Sequence, residues 1–338
     1  MKKKGLACML LGLLLILGLY GQGRPSGGPI TIKLASMVPE NTDWGQTLNK
    51  LSAEWSRATR GEVKLVVYAN GTQGSEDEVL RKLNMNTIQA AVLTSFGLNK
   101  IAPEILTLSC PFFIRNDAEL DEVLKNVKGE FESRINSQNY FSLAIVKAGW
   151  VKFFSRNPVL VPADLKRQKI GSQPSEPELA QAFKTLGYQV VMVDGNRTLI
   201  ALNGGTIDAV YTSPIFAGGA QFFGVAKHMA SINIAPFMGG IVLNKKAWES
   251  IPGQYKNELI RITRRIGGEI ETSLLKLEND TIRQMKNNGL QEHPLSAQQQ
   301  QEWYDDMNRA IPSLVGNTFH RNTYNRIEGI LRNYRNRP

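Results

Sequence analysis

The chain carries few of the side chains that usually catalyse reactions or bind metals. Its three histidines, His228, His293 and His320, do not lie at metal-ligand spacing from one another, from a cysteine or from a pair of acids. No G-x-S-x-G, Walker or G-x-G-x-x-G motif follows a predicted strand, so the usual signals of hydrolases, nucleotide hydrolases and dinucleotide enzymes are missing. We therefore predict a protein without catalytic activity, metal or cofactor.

The N-terminus and the cysteine content indicate export. Three lysines at positions 2–4 precede an apolar run over residues 6–20, which is typical of a secretory signal peptide with cleavage near Gly23. This pattern predicts a periplasmic protein, and an uncleaved segment that tethers it to the membrane is the alternative. Cleavage leaves Cys110 as the single thiol, so no intramolecular disulfide can form. Its apolar neighbours favour a buried structural thiol over a nucleophile.

Length and charge narrow the class of protein further. The chain has 338 residues, which suggests two domains at roughly 100 to 200 residues each. Its net charge of +10 falls to +7 once the three signal-peptide lysines are removed. The basic end from Arg321 to Arg337 could contact nucleic acid, but export argues against such a partner.

Strands and helices are predicted to alternate from residue 30 onward. The first series has strands over 30–36, 63–68 and 90–94, separated by helices over 44–58 and 76–84. The second has strands over 168–172, 189–193 and 207–211, separated by helices over 178–186 and 197–203. This order predicts two mostly parallel sheets that are covered by helices.

An internal repeat links the two series. Residues 80–90 (LRKLNMNTIQA) match residues 199–209 (LIALNGGTIDA) at six positions, and each copy runs into a strand that ends in Thr-Ser. Two such copies predict two α/β lobes of similar build, and chance recurrence of an ordinary unit is the alternative. Because ligands bind outside the carboxyl ends of parallel strands, we expect Thr94-Ser95 and Thr212-Ser213 to face one cleft.

Segments that connect the lobes are also predicted. The chain is expected to cross between lobes at 149–154 and 237–243, and a helical pattern runs from Gly253 to Gly289. At 1.5 Å per residue that helix is about 50 Å long, enough to brace both lobes, although Gly267-Gly268 should weaken it locally. The expected division is residues 30–151 plus 240–270 for lobe I, and 152–239 plus 271–338 for lobe II.

Nine short segments carry a family resemblance through their joint order. They are 32–36 (IKLAS), 59–65 (TRGEVKL), 68–74 (YANGTQG), 103–104 (PE), 111–113 (PFF), 162–170 (PADLKRQKI), 186–187 (LG), 201–208 (ALNGGTID) and 244–248 (NKKAW). Together they resemble the DctP-type solute receptors of tripartite ATP-independent periplasmic (TRAP) transporters. The resemblance implies an α/β, two-lobed periplasmic-binding-protein fold with a long helix bracing both lobes. It also implies a small-molecule ligand and integral membrane TRAP permease subunits as partners, with an accessory periplasmic protein as a further candidate.

The chain departs from the resemblance where the family holds its ligand. A near-universal arginine that pairs with the ligand carboxylate is Gly171 here, and a second common arginine is Lys152. Lysine offers a mobile point charge where arginine offers a planar fork. These changes predict a largely apolar ligand without an obligatory carboxylate, within aromatic walls that include Phe153 and Phe154. The competing explanation is that Gly171 opens space for a bulkier polar ligand, with Gln173 or another arginine in place of the clamp.

The predicted ligand-binding residues come from the resemblance or from loops expected at the cleft. They are Met37, Ser75, Thr94, Lys152, Gly171, Gln173, Tyr211, Thr212, Phe216 and Phe237. A receptor that captures its ligand between the lobes is the first hypothesis. An interaction protein of the cell envelope that reuses the receptor fold is the second. An exported enzyme is the third, and the sequence marks no acid and base for it.

Overall fold

The computed structural model describes residues 28–174 and 177–337. The predicted signal peptide, residues 1–23, lies outside the described residues. The strands are β1 (Ile30–Ala35), β2 (Val63–Tyr68), β3 (Ala90–Thr94), β4 (Tyr140–Ser155), β5 (Lys169–Ser172), β6 (Gln189–Met192), β7 (Ala209–Thr212), β8 (His228–Ala230), β9 (Ala235–Asn244) and β10 (Gln291–His293). The predicted strands of both series are confirmed, with ends that differ by a few residues.

The helices alternate with these strands. They are α1 (Asp43–Ala58), α2 (Glu76–Asn84), α3 (Ser95–Ile101), α4 (Asp117–Asn136), α5 (Pro162–Lys166), α6 (Pro177–Thr185), α7 (Thr198–Asn203), α8 (Pro214–Gly219), α9 (Lys245–Ser250), α10 (Gly253–Asn287), α11 (Ala297–Leu314) and α12 (Arg321–Arg335). In the described part of the chain, none of these helices has the length and apolar character needed to cross a bilayer.

The sheet order confirms two similar α/β units. The strands follow one another as β2-β1-β3-β9-β4-β7-β5-β6. In the first half β1 pairs in parallel with β2 and β3, and in the second β5 pairs in parallel with β6 and β7. The long strands β4 and β9 are antiparallel to each other and join the halves, as the crossing segments predicted. Read from its outer edge, each half has the same order, so β3 and β7 occupy equivalent places.

The long helix α10 runs without interruption from Gly253 to Asn287 and contacts both halves. Ile266 and Ile270 pack with the core of α1, β1 and β2, whereas Met285 packs with the core beneath β7 and β8. The glycine pair does not break the helix. A Cβ atom on Gly267 would lie 3.0 Å from Val146 Cγ1, so glycine permits the close approach of α10 to β4.

The last two helices pack on different parts of the molecule. α11 contacts α5 and α6, whereas α12 contacts α4 and the 3₁₀ segment Pro103–Ser109. Arg335 of α12 forms two hydrogen bonds with the Glu119 carboxylate of α4, both of 2.8 Å. The division between lobes stays a prediction, but these contacts place α12 beside elements expected in lobe I rather than in lobe II.

Cys110 is fully buried, which agrees with a structural thiol. Burial among apolar neighbours raises its pKa far above the ordinary range, so the reactive thiolate does not form at neutral pH.

Candidate functional site

The carboxyl ends of β3 and β7 approach the same stretch of β4. Thr94 pairs with Gly239 of β9, which in turn pairs with Val146 of β4, while Thr212 pairs directly with Lys152 of β4. Since β3 and β7 run in opposite directions, the two ends point toward each other across residues 146–152. At about 3.3 Å per residue, Val146 and Lys152 are roughly 20 Å apart along β4, a span suited to a small molecule. This pairing agrees with the expectation that the two Thr-Ser pairs face one cleft.

On the lobe I side, the Glu76 carboxylate accepts hydrogen bonds from Thr94, the last residue of β3. The backbone N–H of Thr94 donates to Glu76 Oε1 at 2.6 Å, and its hydroxyl donates to Glu76 Oε2 at 2.9 Å. Burial raises the pKa of the Glu76 carboxyl, and the bonds from Thr94 oppose that rise. The sequence prediction included Thr94 but missed Glu76, which begins a helix with three consecutive acids and shows no separate signal.

Met37 and Ser75 lie near this edge with different roles. The Met37 side chain is 51% exposed and lies over Gly71, where a Cβ atom would be 3.2 Å from its Sδ and Cε. Gly71 has a φ of +65°, so the turn beneath Met37 requires a residue that tolerates the left-handed region. Ser75 caps α2: its hydroxyl accepts from the Glu78 N–H at 3.4 Å, and Glu78 Oε2 accepts from the Ser75 N–H at 2.8 Å.

On the lobe II side, Gly171 does not leave an open space. A Cβ atom at this position would lie 2.6 Å from Cδ1 of Ile207, whose side chain is fully buried. Val210 pairs with Gly171 across the strands, and its Cγ1 atom would lie 3.5 Å from the same Cβ position. The volume next to Gly171 is therefore filled by aliphatic side chains that belong to the lobe II core.

Thr212 and Gln173 keep unused hydrogen-bonding capacity. Within residues 28–174 and 177–337, neither the Thr212 hydroxyl nor the Gln173 amide has a side-chain hydrogen-bond partner. Thr212 ends β7, and Gln173 follows the last residue of β5, so both lie at carboxyl ends of neighbouring parallel strands. The Gln173 Oε1 atom is 3.2 Å from the place of a Cβ on Gly195. These neutral groups can donate to or accept from a ligand.

Lys152 lies in residues 146–152 of β4, the segment that crosses between the two halves of the sheet and that we call the hinge. Its side chain is buried, with 9% of the residue exposed, and Nζ donates to Asn233 Oδ1 at 2.9 Å. Burial lowers the pKa of its ammonium group, whereas the charges of Glu278, Glu292 and Asp117 act in the opposite direction. The opposing charges do not outweigh burial, and the hydrogen-bond partner of Nζ in the described residues is the neutral Asn233 amide.

The hinge beside Lys152 is fixed by α10. Glu278 accepts a hydrogen bond of 3.4 Å from the backbone N–H of Trp150, and Trp150 Nε1 donates to Asp117 Oδ1 at 3.1 Å. Burial raises the pKa of Glu278, and the nearby Lys152 opposes that rise. β4 is therefore tied to both α10 and α4 where it crosses between the lobes.

The predicted aromatic residues do not form one wall. Tyr211 points to the opposite sheet face from Thr212, where its hydroxyl lies 2.8 Å from Ser172 Oγ and its ring centroid lies 5.0 Å from that of Phe183. Phe216 is 49% exposed, with its ring edge-on to Phe222. Phe237 is half-buried against the core beneath α10.

The expectation that Phe153 and Phe154 line the ligand site is wrong. Both side chains are fully buried, and they point into two different core clusters on opposite faces of β4. Adjacent residues of a strand point to opposite faces, and helices cover both faces here. Neither ring can contact a ligand in the cleft.

Two α/β units that share crossing strands and a bracing helix define a two-lobed periplasmic-binding architecture. The family model of the bacterial extracellular solute-binding proteins, family 7 (DctP), matches residues 34–316. The chain belongs to this family. It is 25% identical over 235 residues to the 2,3-diketo-L-gulonate-binding periplasmic protein YiaO of Escherichia coli K12, covering 69% of this chain and 71% of that protein. It is 23% identical to the C4-dicarboxylate-binding periplasmic protein DctP of Vibrio cholerae, covering 82% and 84%.

Solved structures show the same fold. A TRAP periplasmic solute-binding protein from Shewanella oneidensis with bound succinate superposes with a TM-score of 0.79 at 18% identity, covering 90% of this chain and all of the other. A second one, from Xanthobacter autotrophicus with bound β-D-galacturonate, gives 0.77 at 18% identity, covering 88% and 99%. The two-lobed fold predicted from the sequence is confirmed.

Proposed function

We propose that this protein is an extracytoplasmic receptor that captures a small molecule between its lobes and delivers it to TRAP-type membrane subunits, without chemistry of its own. The observation that carries the proposal is the convergence of the β3 and β7 ends on residues 146–152 of β4. A ligand there touches both lobes and the hinge at once, so its binding can be coupled to their closure. Membership of a solute-binding family supports the same role.

The ligand that we propose is small, largely apolar and uncharged, with polar atoms for Thr212 and Gln173. The related structures hold succinate and galacturonate, but this chain lacks the arginine that the family resemblance places at Gly171. Ile207 fills the adjacent space, and burial lowers the pKa of Lys152 and so disfavours its charged form. Of the two cation positions that the resemblance implies, only Lys152 remains, so a carboxylate in this cleft would lose its hydration against a lysine whose charged form burial already disfavours.

Apolar contact can supply sufficient affinity for such a receptor. Burying about 300 Å² of apolar ligand surface at roughly 25 cal/mol per Å² contributes about 7 kcal/mol before the costs of association. Met37 and Phe216 are each about half exposed at the two lobes and offer apolar surface. Closure of the lobes over the ligand would bury more of both side chains.

Calorimetry on delipidated mature protein tests the ligand class with matched pairs. Succinate and succinamide differ in charge at nearly equal size, as do octanoate and octanol. We expect the neutral member of each pair to bind more tightly and its affinity to be insensitive to salt. Tight, salt-sensitive binding of the acid that is lost in Lys152→Ala, in a variant with unchanged thermal unfolding, would restore a carboxylate receptor.

Solution scattering tests the receptor role independently of ligand charge. A ligand identified by mass spectrometry of gently purified protein should make the scattering profile more compact at saturation. An unchanged profile together with a stable, ligand-independent complex with another envelope protein would contradict the receptor and favour an interaction protein.

A further inference from the structure

Arg115, in the loop just before α4, differs from the other arginines of the described residues. It is half-buried, whereas all of the others are more exposed. Its Nε–H group is buried without a hydrogen-bond partner. In the part of the chain that the structure describes, its guanidinium group forms no hydrogen bond or ion pair with the protein. A guanidinium is always charged in a protein, and burying a charge without a partner is costly.

The guanidinium of Arg115 lies over an aromatic ring instead. Its Cζ atom is 3.9 Å from the ring centroid of Tyr304 in α11, which is a cation–π contact. Such a contact attracts the positive charge to the ring face, but the ring accepts none of the N–H groups along the edge of the guanidinium. These groups keep a planar, forked arrangement that fits the two oxygens of a carboxylate.

Glu119, the acid beside Arg115, is already paired with a different arginine. Its two carboxylate oxygens accept from Nε and Nη2 of Arg335 in α12, both at 2.8 Å, and Oε2 also accepts from the backbone N–H of Arg115 at 2.9 Å. Burial, and then the neighbouring Arg335, lower the pKa of Arg115, whereas Tyr304 and Glu119 act in the opposite direction. The charged groups of Arg115, Arg335 and Glu119 therefore sum to one positive charge.

We propose that Arg115 is the centre of a binding site for a carboxylate group, at the junction of α4, α11 and α12. The carboxylate accepts from the N–H groups along the edge of the guanidinium while Tyr304 holds its face. One carboxylate brings the summed charge of the cluster to zero, whereas a phosphate dianion would reverse it. None of the ten residues predicted to bind a ligand in the cleft takes part, so this site goes beyond the proposed receptor function and does not depend on it.

An acetate titration of the mature full-length protein tests the site. Ionic strength is kept constant with sodium chloride, and the arginine Nε–H signals are followed by nuclear magnetic resonance. We expect one Nε–H signal to shift saturably in the wild type, and the same signal to be missing from the spectrum of Arg115→Gln. Acetate should bind this variant at least about tenfold more weakly, because the charge-assisted hydrogen bonds of the guanidinium are lost.

The matched control is Arg332→Gln, which removes an exposed arginine of α12 whose side chain has no hydrogen bond or ion pair in the described residues. It should bind acetate as the wild type does. If Arg115→Gln fails to fold, the titration of the wild type still decides, because acetamide has the shape of acetate without its charge and should leave the Arg115 signal in place. Equal acetate affinity in all three proteins, an equal shift with acetamide, or tighter binding of phosphate than of acetate would overturn the proposal.

A further arm of the titration distinguishes two sources of the carboxylate. A short alanine peptide with one central glutamate and blocked ends presents the same two oxygens as acetate, but on a polypeptide. Tighter binding of the peptide than of acetate, lost in Arg115→Gln, would assign the site to an acidic side chain of a partner protein. Equal or weaker binding of the peptide, with acetate still bound at Arg115, would assign it to a free carboxylic acid. Both results support the carboxylate site.

Discussion

The two lobes end their equivalent strands in different ways. At the end of β3, Glu76 accepts both the N–H and the hydroxyl of Thr94. Extending the repeat match of 80–90 with 199–209 four residues upstream places Gly195 opposite Glu76. Glycine has no side chain to fill that role, and the Thr212 hydroxyl at the end of β7 has no side-chain partner within residues 28–174 and 177–337.

This difference divides stability and binding between the lobes. In lobe I the polar groups at the strand end satisfy each other, so they hold the fold and have little left for a ligand. In lobe II the polar groups at the strand ends remain available. We therefore expect substitutions at the β3 end to lower the stability of the protein and substitutions at the β7 end to lower its affinity for ligand.

Removal of the Glu76 carboxylate should have the largest effect. Glu76→Ala leaves two donors of Thr94 without an acceptor in a mostly buried site, at a cost of about 1–3 kcal/mol for each unsatisfied group. We expect the free energy of unfolding to fall by about 3 kcal/mol in urea titrations, after partial compensation from removing a buried charge. Glu40→Ala, at an exposed carboxylate, is the control and should stay within about 0.5 kcal/mol of the wild type. If both substitutions lower the free energy of unfolding equally, the hydrogen bonds of Glu76 at the β3 end do not stabilise the protein as proposed.

The sequence predicts the fold well because periodicity and the repeat reflect local order. The repeat identified β3 and β7 as equivalent strands, and the apolar pattern from Gly253 predicted the bracing helix almost to its last residue. The site was less predictable because side-chain partners are set by tertiary packing. Nothing near Lys152 in sequence indicates Asn233 or Glu278, and nothing near Gly171 indicates that Ile207 fills its space.

An arginine introduced at Gly171 tests whether the Ile207 side chain is what excludes a cation from this position of lobe II. Gly171→Arg should displace the Ile207 side chain from the lobe II core and destabilise the protein by about 1–3 kcal/mol. Gly171→Arg combined with Ile207→Ala should bind succinate at least about tenfold more tightly than Ile207→Ala alone, since a charged hydrogen bond contributes about 1.5–3 kcal/mol. If Gly171→Arg alone is as stable as wild type, Ile207 is not the obstacle.

The pH dependence of stability should show that burial raises the pKa of the Glu76 carboxyl. Because its folded pKa is raised above the ordinary value of 4.5, the proton is bound more tightly in the folded state. This contribution is fully present below the unfolded pKa and is lost as pH rises through the folded pKa. Wild type should therefore lose stability relative to Glu76→Gln over that interval, with a slope of at most about 1.4 kcal/mol per pH unit. Parallel stability curves for the two proteins would show that burial does not shift this group.

The smallest effect is expected at Thr212, and it should appear in binding alone. Thr212→Val keeps the shape and β-propensity of the side chain while it removes a hydroxyl that has no side-chain partner in the described residues. Its unfolding free energy should stay within about 0.5 kcal/mol of the wild type, but ligand affinity should fall by about 0.5–1.5 kcal/mol, the net worth of one hydrogen bond. Thr94→Val is the matched change at the equivalent strand end. It should lower the unfolding free energy and leave ligand affinity unchanged, because it removes the donor to Glu76 Oε2. Urea titration and calorimetry on both variants separate the two effects. If Thr212→Val lowers stability as much as Thr94→Val does, the β7 end is a structural element like the β3 end, and lobe II does not reserve its polar groups for the ligand.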